Sequence, residues 1–349
     1  MTGPDSKRVT LADVAQLAGV SPQTVSRVVN HHPYVSDDIR RRVSEAIRQL
    51  DYRPNRAARS LATQRSCMLG IITYGIHHYG PAQMMYHVEQ TAKGRGYGVS
   101  FSTISNISLG EIREAIETLG DHTVDGLVLI TPVAGVSYRD MIRLCGSVPF
   151  VQIDAPLGAP VPSVVIDQRH GAELVTRHLV DLGHREICEI RGPLNWFGAL
   201  ARHESWLETL AAAGLEPGLS FEGDWTARGG YEAAVCLVEE QATFTALVVG
   251  NDQMALGAIR ALRERGLRVP DDVSVVGFDD VPEAAFFEPP LTTVRQNFAA
   301  LGEQSVQYLV DLIDHPETPL HQRVLYPQLI ERQSTRRLDR IQVGREKMI

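Results

Sequence analysis

Gln23 and Arg27 lie four residues apart, a spacing that puts both side chains on one face of a helix. Glutamine can pair with adenine, and the arginine fork can bond O6 and N7 of guanine together. The neighbouring residues predict the helix that would carry them. Ser21 is a cap residue, and Pro22 suits the first helical position. Val25, Val28 and Val29 then face inward, while Pro22, Gln23, Ser26 and Arg27 face outward. Two solvated polar residues on a surface helix would look the same, so the flanking elements must decide.

Those flanks predict a small helical domain. Thr10 caps a helix over 10–18 with Asp13 three residues on, Leu11, Val14 and Leu17 form its apolar face, and Gly19 ends it. Two helices joined by a tight Gly-containing turn make a helix-turn-helix. Ser36 opens a third helix with Asp37 and Asp38 in its first turn and Ile39, Val43, Ile47 and Leu50 as its stripe. Pro54 breaks the chain, and Asn55 caps a short segment, Arg56 to Ala62, too brief to be a stable helix alone. Charge agrees. The chain is −8 overall, yet residues 1–65 hold eleven basic and six acidic side chains, leaving −13 on the rest. A basic head on an acidic body suits a polyanion-binding module joined to something with another task.

From residue 66 short apolar runs alternate with amphipathic helices. The runs are Met68–Tyr74, Gly98–Ser102, Gly126–Ile130, Phe150–Ile153, Ser163–Ile166, Ile187–Ile190, Ala246–Val249 and Val273–Phe278. Strands separated by helices predict α/β architecture with parallel sheets. Eight strands exceed one compact sheet, and the proline-rich stretch Ala155–Pro162 falls midway, so two subdomains around a cleft are expected. No apolar run approaches the ~18 residues of a membrane span, and MTGPDSKRVT lacks a secretory apolar stretch, so a cytoplasmic protein is expected. Cys67, Cys145, Cys188 and Cys236 are scattered in or beside apolar segments and read as buried free thiols. No metal or cofactor motif stands out.

The runs VTLADVAQLAGVSPQTVSRVVN and VSDDIRRRVSEAIRQLDYRPNRAARSLA resemble the headpiece and hinge of the LacI/GalR family of transcription regulators. HLVDLGHREICEIRGP, GDWTARGGYEA, VVGNDQMALGAIRALRERGLRVPDDVSVVGFDD and PPLTTVRQNFAALG extend the likeness through the family's effector-binding core. The resemblance implies a periplasmic-binding-protein-like core in which the chain crosses three times between subdomains. It divides the chain into a headpiece at 1–54, a hinge and linker at 55–65, and a core from 66 to 349. The first subdomain would take about 66–155 and 294–320, the second about 156–293 and 324–336, and a tail the remainder.

On this resemblance Pro22, Gln23 and Arg27 would read bases, while Thr10, Ser21, Thr24, Asn30 and Ser36 would meet phosphates, which orient without specifying. Asn55, Ala58 and Leu61 would belong to a hinge helix that forms on operator DNA, with Leu61 wedged into the minor groove. In the core, Asp154, Arg202, Trp225, Asn251, Asp279, Gln296 and Phe298 match sugar-contacting positions. The chemistry is apt: Arg202 and Asp279 can each bind two adjacent hydroxyls, and Asp154 and Asp279 follow apolar runs at strand ends, where ligands of open sheets bind. Pro22 stands where the family's type member has tyrosine, and Gly198 where it has a contacting serine. Tyr74, His77 and His78 replace smaller or aliphatic groups of the first-subdomain wall, which leaves the sugar open.

The expectation is a repressor, not an enzyme, released from a pseudo-palindromic operator by a galactoside-like sugar. A corepressor-dependent regulator remains an alternative. So does a sugar-binding transport component, though that would need an export signal and no headpiece. No G-x-S-x-G, Walker or H-E-x-x-H motif supports catalysis. The C-terminal QSTRRLDRIQVGREKMI lacks leucine heptads, so a homodimer is expected rather than a coiled-coil tetramer.

Overall fold

A computed structural model describes residues 9–29, 34–52, 65–120, 124–132, 136–240 and 242–338. The chain divides into two compact units, Met1–Ser66 and Cys67–Ile349. The hinge residues Asn55, Ala58 and Leu61, and Asn30, lie outside the described residues.

The first unit contains α1 (Leu11–Ala18), α2 (Pro22–Val29) and α3 (Asp37–Gln49). Thr10 and Asp13 form a reciprocal capping box at the start of α1, and Gly19 ends it in the left-handed region at φ 63°. Ser21 Oγ accepts the Thr24 N–H at 3.1 Å at the start of α2, whereas Ser36 caps α3 with no side-chain bond. The turn between α1 and α2 is pinned from α3, where Arg42 donates to the carbonyls of Ala18 and Gly19. The core differs slightly from the expected stripes. Val14, Ala15, Ala18, Val25, Val28, Val43, Ala46 and Tyr52 are buried, while Leu17 is half exposed, because small alanines take the positions where the helices approach.

In the second unit a six-stranded parallel sheet has the order β11-β5-β4-β3-β1-β2. Its strands are β1 (Met68–Tyr74), β2 (Gly98–Ile104), β3 (Gly126–Ile130), β4 (Phe150–Ile153), β5 (Ser163–Ile166) and β11 (Gln322–Leu325). A four-stranded parallel sheet, order β7-β6-β8-β9, contains β6 (Ile187–Arg191), β7 (Ser220–Glu222), β8 (Ala246–Val249) and β9 (Ser274–Val276). β10 (Thr293–Arg295) and β12 (Gln328–Ile330) form an antiparallel ribbon beside it, with single bridges Val276 to Thr292 and Asp279 to Arg295. Continuous apolar runs such as GLVLI of β3 fit strands covered on both faces.

Helices supply that cover. α4 (Tyr79–Gly94) and α11 (Phe298–Asp314) bury Met84, Val88, Leu301 and Leu309 against one face of the large sheet. α5 (Leu109–Gly120) and α6 (Tyr138–Cys145) cover the other. On the small sheet, α7 (Gln168–Asp181) and α8 (Phe197–Ala212) cover one face, α9 (Ala227–Glu239) and α10 (Asp252–Glu264) the other. α9 and α10 pack unusually close: a Cβ on Gly257 would fall 1.7 Å from the Ala227 carbonyl oxygen, so only glycine fits.

Two expected boundaries move. β5 and β11 pair with each other and belong to the first sheet, so Ala155–Pro162 is a loop inside the first half and not the division between halves. The reason is burial: all four residues of β5 are covered, and Gln152 and Ile153 of β4 pair with its start. The crossings therefore fall at 166–168, 295–298 and 325–328. Val294 is buried in the second half, and Val324 packs in the first. Cys145 and Cys188 are buried and Cys67 half-buried, but Cys236, on the outer side of α9, is exposed. The helices α6 and α11 and the strands β7, β10, β11 and β12 were not foreseen from the sequence.

Candidate functional sites

In the helical unit, α2 presents Pro22, Gln23 and Arg27 as exposed residues opposite the buried Val25 and Val28. Neither the Gln23 nor the Arg27 side chain has a hydrogen bond or ion pair with another described residue. Arg41 and Arg42 differ, since both engage Asp38. Gln23 lies in the first turn of α2 and Arg27 in its last, and exposed, uncommitted side chains on one helix face are what base reading requires. Thr10, Ser21 and Ser36 are exposed and Thr24 half-buried. The hydroxyls of Thr10 and Ser21 already cap α1 and α2, and the Thr24 hydroxyl lies 2.9 Å from that of Ser21.

In the larger unit, strand ends and crossings gather a closed polar ring. Arg202, one turn into α8, donates from Nε to Gln168 Oε1 at 2.9 Å. Gln168 Nε2 donates to Gln296 Oε1 at 2.9 Å, and Gln296 Nε2 to Asp279 Oδ1 at 2.6 Å. Asp279 Oδ1 lies 3.9 Å from Arg202 Nη2, completing the circuit. A further Arg202 nitrogen donates to the Gly250 carbonyl, and the guanidinium lies 3.7 Å above the centre of the Phe278 ring. Gln168 sits on the first crossing and Gln296 on the second, so the ring ties together the segments about which the two halves would move.

Burial sets the electrostatics. Desolvation raises the carboxyls of Asp154 and Asp279 to about 6, although Arg202 pulls both down. Arg202 is itself lowered by burial, against the pull of Asp279 and Asp154. Asp154 has no hydrogen-bond partner among the described residues. Asp154, Trp225 and Asp279 also have positive φ, at 62°, 70° and 110°. Such strained backbone clusters where function aims side chains. Asp252 is different: wholly buried, it accepts from the Val281 N–H and the Thr293 hydroxyl and so fixes the loop after β9.

The other expected residues divide. Asn251 caps α10 through the Met254 N–H at 2.9 Å and donates to the Trp225 carbonyl at 3.1 Å, so it positions that tryptophan. The Trp225 ring covers Gly192 and lies 5.7 Å from the Arg202 guanidinium, with its buried Nε1 unpaired. Phe298 is buried at the start of α11 and packs edge-on against Tyr79, 6.0 Å away, rather than on the polar ring. Tyr74 and His78 meet Trp196, and His77 is exposed beside His78.

Sequence reasoning missed Gln168 and Trp196. Gln168 had a signal, since it follows an apolar run at a strand's C-terminal end, as Asp154 does. Trp196 had none beyond an unusual aromatic in the loop before α8.

Comparison with known proteins agrees with both parts of this geometry. Residues 10–55 match the description "Bacterial regulatory proteins, lacI family", and 176–335 match "Periplasmic binding protein-like domain". The chain is 38% identical to the lactose operon repressor of Escherichia coli K12 over 306 residues, 88% of this chain and 85% of that one. The chain belongs to the lacI family. It is 35% identical over 334 residues to the transcriptional repressor PurR of Haemophilus influenzae, covering 94% of this chain and 98% of that one. A lac repressor dimer bound to operator and the anti-inducer ONPF superposes with a TM-score of 0.86 at 36% identity, over 95% of this chain and all of that one. A complex of the regulator CelR with cellobiose gives 0.71 at 33% identity, over 94% of this chain and all of that one. As a family member the chain is a DNA-binding transcriptional repressor with an effector-binding core. It acts on DNA in the bacterial cytoplasm.

Proposed function

We propose that the chain is a homodimeric repressor that reads a pseudo-palindromic operator with Pro22, Gln23 and Arg27 and leaves it when a sugar occupies the cleft. The observation that carries the reading is the polar ring of Arg202, Gln168, Gln296 and Asp279, with Asp154 beside it and Trp225 above the guanidinium. A polyhydroxylated ligand entering water-poor surroundings needs forked donors, carboxylate acceptors and an aromatic plate, and this cluster supplies all three. Thr10, Ser21, Thr24, Asn30 and Ser36 would hold phosphates; Asn55, Ala58 and Leu61 would form the minor-groove hinge. Asn251 would act through Trp225, and Phe298 through the packing of Tyr79. The task is binding, with no catalytic step.

Coupling follows from where the ring lies. A ligand that re-pairs Gln168 and Gln296 changes the contacts of two crossings, and therefore the angle between the halves, which the hinge would transmit. The test is release: labelled operator bound to the purified repressor is titrated with mono- and disaccharides. Dissociation by a sugar that also raises the melting temperature is the expected result. Tighter operator binding on adding a sugar would make the ligand a corepressor, and no response to any sugar would remove sugars as the effector class.

A further inference from the structure

The polar ring is bordered by aromatic side chains. Next to it Trp196, which caps α8 from the second half, meets aromatic rings from both halves. Its ring centre lies 5.6 Å from Tyr74 and 5.3 Å from His78 of the first half, and 5.6 Å from Trp225 of the second. The interplanar angles of 51°, 82° and 68° mean that none of these pairs is stacked face to face. Gly75, at φ 68°, makes room, because a Cβ there would fall 2.8 Å from the Trp196 ring. The contact reaches the polar ring through Trp225 and past Gly198, where a Cβ would fall 3.7 Å from Gln168 and 3.8 Å from Arg202, in ordinary contact with both.

We propose that Trp196, with Tyr74 and His78, forms a second subsite for the second ring of a disaccharide whose first ring lies on the Arg202–Asp279 cluster. This deepens the sugar reading above and rests on it. Two observations favour a sugar over a plain hydrocarbon group. The aromatic faces suit the C–H face of a pyranose, and polar groups rim them: the imidazoles of His77 and His78 and the exposed carboxylate of Asp224, which lies near enough to His78 to act on its charge. Burial and His77 together lower His78 to about 4, so near neutral pH its imidazole is uncharged and can both donate to and accept from hydroxyls. Trp196, Tyr74 and His78 are each half-buried, so none of the three is sealed in the core.

The experiment measures calorimetric affinities of the full-length protein for methyl galactoside and methyl glucoside, for lactose, cellobiose, maltose and melibiose, and for p-nitrophenyl galactoside and glucoside. At least one disaccharide should bind about tenfold or more tightly than the methyl glycoside of its non-reducing ring. In Trp196→Ala that ratio should collapse toward one, and Trp196→Phe should restore part of it. Tyr74→Ala, on the opposite wall, serves as an independent variant should Trp196→Ala fail to fold. No gain from any second ring, or a gain that survives both alanine variants, overturns the subsite. A p-nitrophenyl glycoside gaining as much as the disaccharide overturns the sugar assignment in favour of an aryl aglycone. Methyl glycoside binding that depends on Arg202 without such a gain leaves the sugar reading standing; absence of all sugar binding sinks that reading instead.

Discussion

Arg27 and Arg202 carry the same guanidinium into opposite circumstances. Arg27 stands exposed on α2, without a partner among the described residues. Arg202 is largely covered, bonded to Gln168 and the Gly250 carbonyl, and packed on Phe278. The contrast follows from the ligands. DNA brings its own dense charge and exposed base edges, so a reader profits from donors held in water until contact. A neutral sugar brings no charge, so the protein must desolvate its polar groups beforehand and keep them mutually satisfied. Truncation should therefore cost more in the cleft than on α2.

The largest effect is expected at the ring. Arg202→Ala leaves the buried Asp279 and the half-buried Asp154 without their cation, a loss on the order of 3 kcal/mol in core stability. It should remove sugar response in calorimetry and operator release, with operator binding retained in the cold. Asp279→Ala should likewise uncouple the repressor from its effector. Sugar affinity unchanged in both variants would take them out of the site. On α2, Arg27→Ala should lose about 1–3 kcal/mol on the cognate operator and little on random DNA, with the melting temperature unmoved. An equal loss on both DNAs would make Arg27 a phosphate contact only, and would weaken the contrast between the two arginines.

How much of this was legible follows the same line. Local signals fixed α1 and α2 closely, because the capping box of Thr10 and Asp13, the Ser21-Pro22 start and Gly19 act within a few residues. The apolar runs of β1, β3, β4, β5 and β8 also carried their own boundaries. Partnership between distant segments left no such mark. Nothing in SVVI says that it pairs with Gln322–Leu325, so the division between halves was misplaced by about a dozen residues. The polar ring was readable only through family resemblance, since Gln168, Arg202, Asp279 and Gln296 come from four separate elements. Gln168 escaped even that reading.

Acid should separate the two sites further. The carboxyls of Asp154 and Asp279 titrate near 6 in the folded chain, above the ordinary value of 3.8. In the sugar-free protein the folded state therefore binds these protons more readily than the unfolded state, and their contribution to stability rises as pH falls from above 6 towards 4. Sugar hydroxyls donating to the carboxylates require the charged forms. Affinity should consequently fall below pH 6, by up to about tenfold per pH unit for each carboxylate used. Calorimetry from pH 7.5 to 5 checks this; an affinity that stays flat would mean that neither carboxylate accepts from the ligand.

The smallest effect tests whether Ser21 serves the helix or the DNA. Its hydroxyl accepts the Thr24 N–H at 3.1 Å, so Ser21→Ala should destabilise the helical unit by about 1 kcal/mol, while glycine at a cap costs only a few tenths. If capping is the whole role, Ser21→Ala weakens binding to cognate and random DNA alike and Ser21→Gly barely changes either. A phosphate contact would instead make both substitutions weaken binding equally, with a shallower dependence on salt only if a charged neighbour is displaced as well. Sugar affinity measured without DNA should be the same in both variants, because the cap belongs to Met1–Ser66 and the polar ring to Cys67–Ile349. A change in that affinity would show that the two units communicate before DNA is present, and that the unpartnered surface of α2 is not independent of the satisfied ring in the cleft.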